Sequence, residues 1–425
     1  MDQHVQLLVS EVQQRLKLDQ YFLKRYNIFH EKGESKQAVY VLSMEWFPTE
    51  MVGNERGNDK QDLNPTGTVV VEIDFHNKTL YQLVFVGDVS HPQAKELFPS
   101  PKKAEVIDWV EETTGLTFGK QFMINYENKK EFRFSAAIDH IPVLPLGTIQ
   151  VKFNSSGELT MFSIDGLFPT EDQVVWEPFS LLPKKVEHLF KQHLKLFEVP
   201  IEKDEKWLPV LGIAELYVRN RDEQTLEYPF LNKSVINLPL EWSSPLEEPF
   251  HKKEDIDLST EVTLKQAIAN ETHPDQKPVT EAESKIVIEQ AKDVMRREYP
   301  KESSKWLIHT IYRKNSYLIA ELRPIQKSAK VISRKISVII SPTTLQAINY
   351  IDNNGLLEMF NEYTSSDNVI VSAEDAFNKL WDHITIKPVY VYHPNEDTYY
   401  LYGEIDSEYV INATTGETVY MRELE

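Results

Sequence analysis

Cysteine is absent from the 425 residues, which removes disulfides, thiolate metal sites and a cysteine nucleophile at once. Glycine is scarce at 14, and no phosphate loop, dinucleotide fingerprint or Gly-x-Ser-x-Gly elbow is present; Asp165-Gly166 has no nucleophile beside it. No run of 18 apolar residues occurs, so no membrane span is expected. The opening residues, Met1 to Gln14, lack a basic region followed by an apolar core, so no signal peptide is read. As encoded, the chain is expected to be soluble and cytoplasmic. The same residues after removal of a leader would belong outside the cell or in its envelope. Positive charge is the minority sign: 46 basic against 66 acidic residues give a net charge of −20. That excess discourages nucleic acid and anionic membranes, and favours either a solvated acidic surface or a basic partner.

What is present suffices for substantial cores. Hydrophobic residues make up 41% and aromatics 11%, which excludes wholesale disorder, and the length suggests about two to four domains. The most regular stretch runs from Glu131 to Phe162. Phe132, Phe134, Ala136 and Ile138 alternate, as do Ile149, Val151 and Phe153. This is the period of a half-buried antiparallel sheet, and Asn154-Ser155-Ser156-Gly157 supplies residues that tolerate a left-handed turn.

Versions of this pattern recur. Residues 3 to about 28 read as an amphipathic helix on Val5, Leu8, Val9, Val12 and Leu16, followed by strands at Ala38–Met44, Gly67–Phe75 and Leu80–Val86, with a polar loop at Thr49–Pro65. Ser100-Pro101 opens a second helix that Gly115 stops. Setting Gly67-Thr68-Val69 over Gly147-Thr148-Ile149 aligns helix with helix and hairpin with hairpin at an offset of 80 residues. Pro183 to about Phe197 reads as a helix, with strands at Pro209–Val218 and Ser234–Leu240, a degenerate unit or an insertion. His251–Val279 is polar and reads as a linker. Thr280 to Glu283 is a capping box opening a helix before Pro300, with strands at Trp306–Tyr312, Tyr317–Leu322 and Lys335–Ile340 and a turn at Ser341–Thr344. Ser372 opens the last helix, with strands at Lys387–Tyr392 and Thr398–Glu404 and a closing hairpin whose Asn412 to Gly416 echoes Asn154 to Gly157. Gly416 is expected at positive φ, so Gly416→Val should destabilise this hairpin.

The segments Asp139-His140-Ile141-Pro142-Val143, Thr148–Phe153 with Gly157-Glu158, and Tyr409–Tyr420 resemble the PepSY family, and more closely the YcdB/YcdC repeat of Bacillus-type bacteria. The sequence departs from that pattern in two places. His140 or Ile141 stands where glycine is commoner, and Ser341-Pro342-Thr343-Thr344 lacks the glycine. The resemblance implies an α+β fold of tandem helix-on-antiparallel-sheet (cystatin/PepSY-like) repeat units in two lobes. Their expected limits are 1–95, 96–170, a degenerate unit or insertion at 171–250, a linker at 251–279, then 280–365 and 366–425. It also implies a non-catalytic module that restrains a peptidase or binds a peptide or envelope ligand, with no catalytic residues and no cofactor to carry over.

The residues themselves offer little chemistry. His188 and His193 stand about 140° apart around a helix and share no face; His30-Glu31 and Glu34 lack the two-histidine metalloprotease spacing. Carboxylate pairs such as Glu247-Glu248, or Asp352 near Glu358, carry no weight among 66 acids. The basic run Lys327–Lys335 with Arg334 reads as a solvated strand flank. One aromatic strand, with Tyr390, Tyr392, Tyr400 and Tyr402, is a candidate peptide- or glycan-binding face, against the plainer reading of core. The function expected is a non-enzymatic binding or regulatory protein. The alternative is a hydrolase using carboxylates in a cleft between lobes.

Overall fold

Asp2 caps the first helix, α1 (Gln3–Arg15), by accepting a hydrogen bond from the His4 amide at 2.9 Å, and Val5, Leu8, Val9 and Val12 turn inward. The computed structural model describes residues 2–31, 39–51, 64–89, 96–226, 234–250, 254–365 and 368–424. Helix α1 stops well short of residue 28. Lys17 turns the chain at φ 52° and strand β1 occupies Tyr21–Glu31. Aromatic and branched residues there suit an extended edge as well as a helix face, and a left-handed lysine leaves no turn signature in sequence. Most of the loop expected at Thr49–Pro65, and Glu34, lie outside the described residues.

Contacts divide the chain into two compact units. The first comprises Met1–Val175, Ser259–His273 and Tyr390–Tyr400; the second comprises Trp176–Leu258, Pro274–Val389 and Leu401–Glu425. In the first, β1 pairs with β2 (Val39–Pro48), then β3 (Val69–Asp74) and β4 (Leu80–Phe85), all antiparallel. Helix α2 (Lys103–Thr114) follows, with Lys102 at its N-cap; Ser100 instead binds the Glu105 carboxylate through its amide, at 3.2 Å, and its hydroxyl, at 2.5 Å. Gly115 ends the helix at φ 74°.

Strands β5 (Phe122–Glu127), β6 (Glu131–Ile138), β7 (Ile141–Leu144), β8 (Thr148–Phe153) and β9 (Leu159–Asp165) complete this unit's main set. The β6–β7 turn puts Asp139 and His140 at φ 46° and 67°. These are the left-handed positions where a glycine is the usual occupant. Strand β4 pairs with β9 and β8 with β6, giving the order β1-β2-β3-β4-β9-β8-β6. Residues of α1 and α2 share one core with the inward side chains of this sheet.

The β4–β9 seam sets Leu83 opposite Phe162. Ile73 pairs with Leu80 and Phe153 with Leu159 just outside the two hairpin turns. Leu83 and Phe162 therefore stand at the same place in their hairpins, and a local two-fold axis runs through the pair.

In the second unit the elements are α3 (Pro183–His193), β10 (Leu194–Ile201), β11 (Lys206–Ile213), β12 (Leu216–Arg219), β13 (Thr225–Leu226) and β14 (Ser234–Leu240). Helix α4 (Leu264–Ala269) lies in the part of the chain that belongs to the first unit. Then come α5 (Glu281–Glu298), β15 (Trp306–Lys314), β16 (Tyr317–Pro324), β17 (Ile336–Ile340), β18 (Ala347–Asp352), α6 (Asn354–Glu358), β19 (Thr364–Ser365), α7 (Ala373–Leu380), β20 (Thr385–His393), β21 (Thr398–Asp406), β22 (Tyr409–Asn412) and β23 (Thr418–Tyr420), of which the end of β20 and the start of β21, within Tyr390–Tyr400, belong to the first unit. Helix α5 opens with the capping box read from sequence: the Glu283 amide donates to Thr280 Oγ1 at 3.2 Å, and the Thr280 amide donates to Glu283 Oε2 at 2.9 Å. It packs on the antiparallel sheet β14-β15-β16-β17-β18. Helices α3 and α7 share a core beside the sheet β10-β11-β22-β23. The fold is thus α+β, with helices set on antiparallel sheets.

Two stretches differ from their sequence reading. Strands between 171 and 250 form no sheet of their own: β11 pairs with β22, β12 with β21 and β14 with β15. Part of the stretch read as linker is structured. Val262 donates its amide to Ile28 O and His30 donates its amide to Thr260 O, both at 2.8 Å, while Val262, Leu264 and Ala267 join the first core. Apolar residues spaced within a polar run were enough to dock it.

Candidate functional site

One kind of turn closes four hairpins, five residues long from Asp74, Ser341 and Asn412 and four residues long from Asn154. At its head a short polar side chain accepts two backbone amides, and its last residue is left-handed. Asp74 accepts from His76 and Asn77 at 2.8 and 2.7 Å, with Lys78 at φ 67°. Asn154 accepts from Ser156 and Glu158 at 2.9 and 3.0 Å, with Gly157 at φ 77°. Ser341 accepts from Thr343 and Thr344, both at 3.3 Å, with Leu345 at φ 54°. Asn412 accepts from Thr414 and Thr415 at 2.9 and 3.1 Å, with Gly416 at φ 78°. In three of them the register slips just before the head residue, at Glu72/Ile73, Lys152/Phe153 and Ile339/Ile340.

The tyrosines proposed as a face do not make one. Tyr390, Tyr392 and Tyr402 are only 2%, 2% and 3% exposed, and Tyr400 is half-buried with its hydroxyl on Glu396. Val389 before Tyr390 and Val391 after it are buried as well. Both faces of the strand are covered, which the assumption of one wet face did not allow. Tyr392 donates to Asp397 at 2.6 Å, as a buried phenol requires.

Two of the histidines singled out from sequence have partners within the fold. His193 Nδ1 lies 2.8 Å from Leu189 O, and His30 packs against Tyr40 and His273. Among the described residues no group of three or more His, Asp or Glu could hold a metal ion, and no helix is long and apolar enough to cross a membrane. In the basic run, Lys330 lies over the Trp207 ring at 4.3 Å, and Arg334 reaches Asp352 at 2.8 Å. Burial works against the Asp352 charge, but hydrogen bonds from Arg334, from the Tyr299 hydroxyl at 2.7 Å and from the Asn354 amide outweigh it and hold the carboxyl below its usual range. That network ties β18 to the end of α5 and leaves no free acid or base. Glu358 accepts from Asn354 at 2.8 Å. The Tyr217 hydroxyl lies 3.4 Å from both Glu215 and Glu404, and burial, with Asp406 and Glu215 nearby, pushes the Glu404 carboxyl up.

Among the described residues, the face of the first unit's sheet opposite α1 and α2 stays partly exposed. Cross-strand pairing lines up Ser43, Glu72, Gln82, Ser163, Gln150 and Arg133 in one row over six strands. A parallel row holds Glu45, Val70, Val84, Met161, Lys152 and Glu131. These positions alternate with buried Leu42, Met44, Val71, Leu83, Phe162 and Val151, and all remain at least partly exposed. The rim charges are neutralised: Arg25 meets Glu45 at 2.6 Å and Arg133 meets Glu131 at 2.8 Å. The Arg133 hydrogen bond holds the Glu131 carboxyl below its usual range. At the centre the half-buried Glu72 has Ser43 beside it but, among the described residues, no cation; burial pushes its carboxyl up. The site is chemically suited to holding an extended polar-apolar ligand. Sequence reading missed it because its two rows draw their partners from six strands far apart in the chain. The outward Val70 and Glu72 in Gly67–Phe75 were the signal available.

No family model matches the chain and no curated protein matches it. Among solved structures, the Bacillus megaterium YpeB C-terminal domain aligns with 53% of this chain and 97% of its own, at 10% identity and a TM-score of 0.24, too low to carry an argument on fold or function.

Proposed function

We propose that this chain is a non-enzymatic binding or regulatory protein assembled from PepSY-like modules at 1–95, 96–170, 280–365 and 366–425, acting on a peptidase or a peptide. The observation that carries this is the kind of turn shared by four hairpins, one in each proposed module, closed by the same pair of backbone hydrogen bonds over five residues at Asp74, Ser341 and Asn412 and over four at Asn154. The head amide donates to the residue after the turn in every case, from 2.8 Å at Asp74 to 3.0 Å at Ser341. Such agreement supports a repeated module, and the polar networks around it serve packing. The open sheet face of the first unit is the ligand surface in this reading.

The test is capture of partners from the native lysate by the full chain, then peptidase assays on each captured protein with and without it. A changed peptidase rate supports the reading. Turnover of a peptide or glycoside by the purified chain alone would sink it. The hydrolase alternative has one observation behind it, the Glu215 and Glu404 carboxylates about one tyrosine hydroxyl. It requires that Glu404→Gln abolish any such turnover.

A further inference from the structure

A half-buried carboxylate without a counter-charge costs stability, and proteins rarely keep one on an otherwise neutralised surface. Glu72 is in that position. The flanking ion pairs of Glu45 and Glu131 are made within the fold, whereas Glu72 has, among the described residues, the Ser43 hydroxyl alone. We propose that Glu72 anchors a lysine or arginine side chain of an extended basic peptide segment laid across this open face. The inference rests on reading the chain as a binding protein and names the chemistry of its ligand.

Three features fit that occupant. Val70, two residues before Glu72 on the same face, and its row neighbours Val84 and Met161 form an apolar strip for the methylene stem of a long cationic side chain. Gln82 and Ser163, next along the Glu72 row, offer hydrogen bonds to a peptide. The net charge of −20 draws a basic segment in from a distance. An arriving cation also removes the desolvation cost that Glu72 bears alone, so it is bound where the fold is otherwise strained. Protonation of Glu72 competes with the cation, so binding weakens as pH falls through the raised range of this carboxyl.

The experiment uses the full chain and a fluorescein-labelled octapeptide of alternating threonine and valine with one central lysine, read by anisotropy at physiological salt. A second peptide carries glutamine in place of the lysine. Expected is binding of the lysine peptide that weakens at least about tenfold with the glutamine peptide and with Glu72→Gln. Glu289→Gln, on an exposed position of α5, removes the same charge elsewhere and should leave binding unchanged. The Glu72→Gln chain should also melt about 1–3 °C higher, since an unpaired carboxylate is gone. Equal binding by Glu72→Gln overturns the inference while leaving a peptide-binding protein. A lower melting point overturns it too, because the carboxylate would then serve the fold. If the wild-type chain ignores the lysine peptide, the proposed ligand chemistry fails, and the captured-peptidase assay decides the broader reading separately.

Discussion

The hairpins β8–β9 and β17–β18 make the same kind of turn, four residues long in one and five in the other, from opposite materials. One uses Asn154 and Gly157, the other Ser341 and Leu345. The backbone requires an acceptor at the head and a left-handed residue at the end. Any side chain meeting those two demands is admissible, at different cost. Leucine at φ 54° is strained where glycine is not, and β17–β18 compensates by packing Leu345 on its core.

The comparison breaks most sharply if the glycine is taken away. Gly157→Val forces a branched side chain to φ 77° and brings its Cβ to 3.4 Å from Pro101 Cδ. We expect about 2–3 kcal/mol of destabilisation by chemical denaturation. Gly416→Val should behave alike, since a Cβ there would meet Lys379 Nζ at 3.1 Å. A change under about 0.5 kcal/mol would remove the left-handed requirement from the argument.

Next in size is a difference at the far end of β17–β18, where Asp352 is held by Arg334 and Tyr299. Its folded pKa lies below the unfolded one, so its contribution is full above the ordinary aspartate range and is lost as pH falls through the folded value. Amide exchange in β17–β18 should therefore accelerate in acid. Asp352→Asn should cost about 2 kcal/mol at neutral pH and abolish that dependence. An unchanged acid profile in the variant would show that another group is responsible.

Smaller effects sharpen the two head residues. Asn154→Ala and Ser341→Ala each strand two amides that water can partly serve, and each should cost about 1 kcal/mol in denaturant melts, with asparagine the costlier because its bonds are shorter. The reverse order would contradict the geometry. Smallest is Leu345→Gly, in which relief of strain and lost packing nearly cancel, leaving less than about 0.5 kcal/mol. A large loss would mean that Leu345 is there for the core alone.

Much of this architecture is legible because its signals are local. The Thr280 capping box, Pro183 at its helix start and Gly115 at its helix end sit within a few residues of what they control. The turn at Ser341 was visible as a turn yet stood apart from its relatives, because leucine is not a turn residue by composition. Strand β1 was hidden for a related reason: Tyr21, Phe22 and Tyr26 fit a helical face and an extended one equally. The tyrosines of β20 and β21 belong with the plainer reading of core, and the face was a candidate because alternation alone cannot distinguish one covered face from two. The open face was not legible. Its rows depend on β4 meeting β9, a pairing between residues about 80 apart that no local window contains.

That seam has a kinetic side. The hairpins on either side of it close over a few residues, whereas joining Gln82–Val84 to Met161–Ser163 closes a loop roughly ten times longer, an added entropic cost of about 2 kcal/mol. Each helix and its strands should therefore gain structure before the two-fold pair Leu83 and Phe162 meets. Until it does, two half-sheets each present an unpaired last strand of matching shape. In a crowded refolding mixture the counterpart that β4 encounters can belong to another chain, so yield should fall with concentration even though every local element has formed.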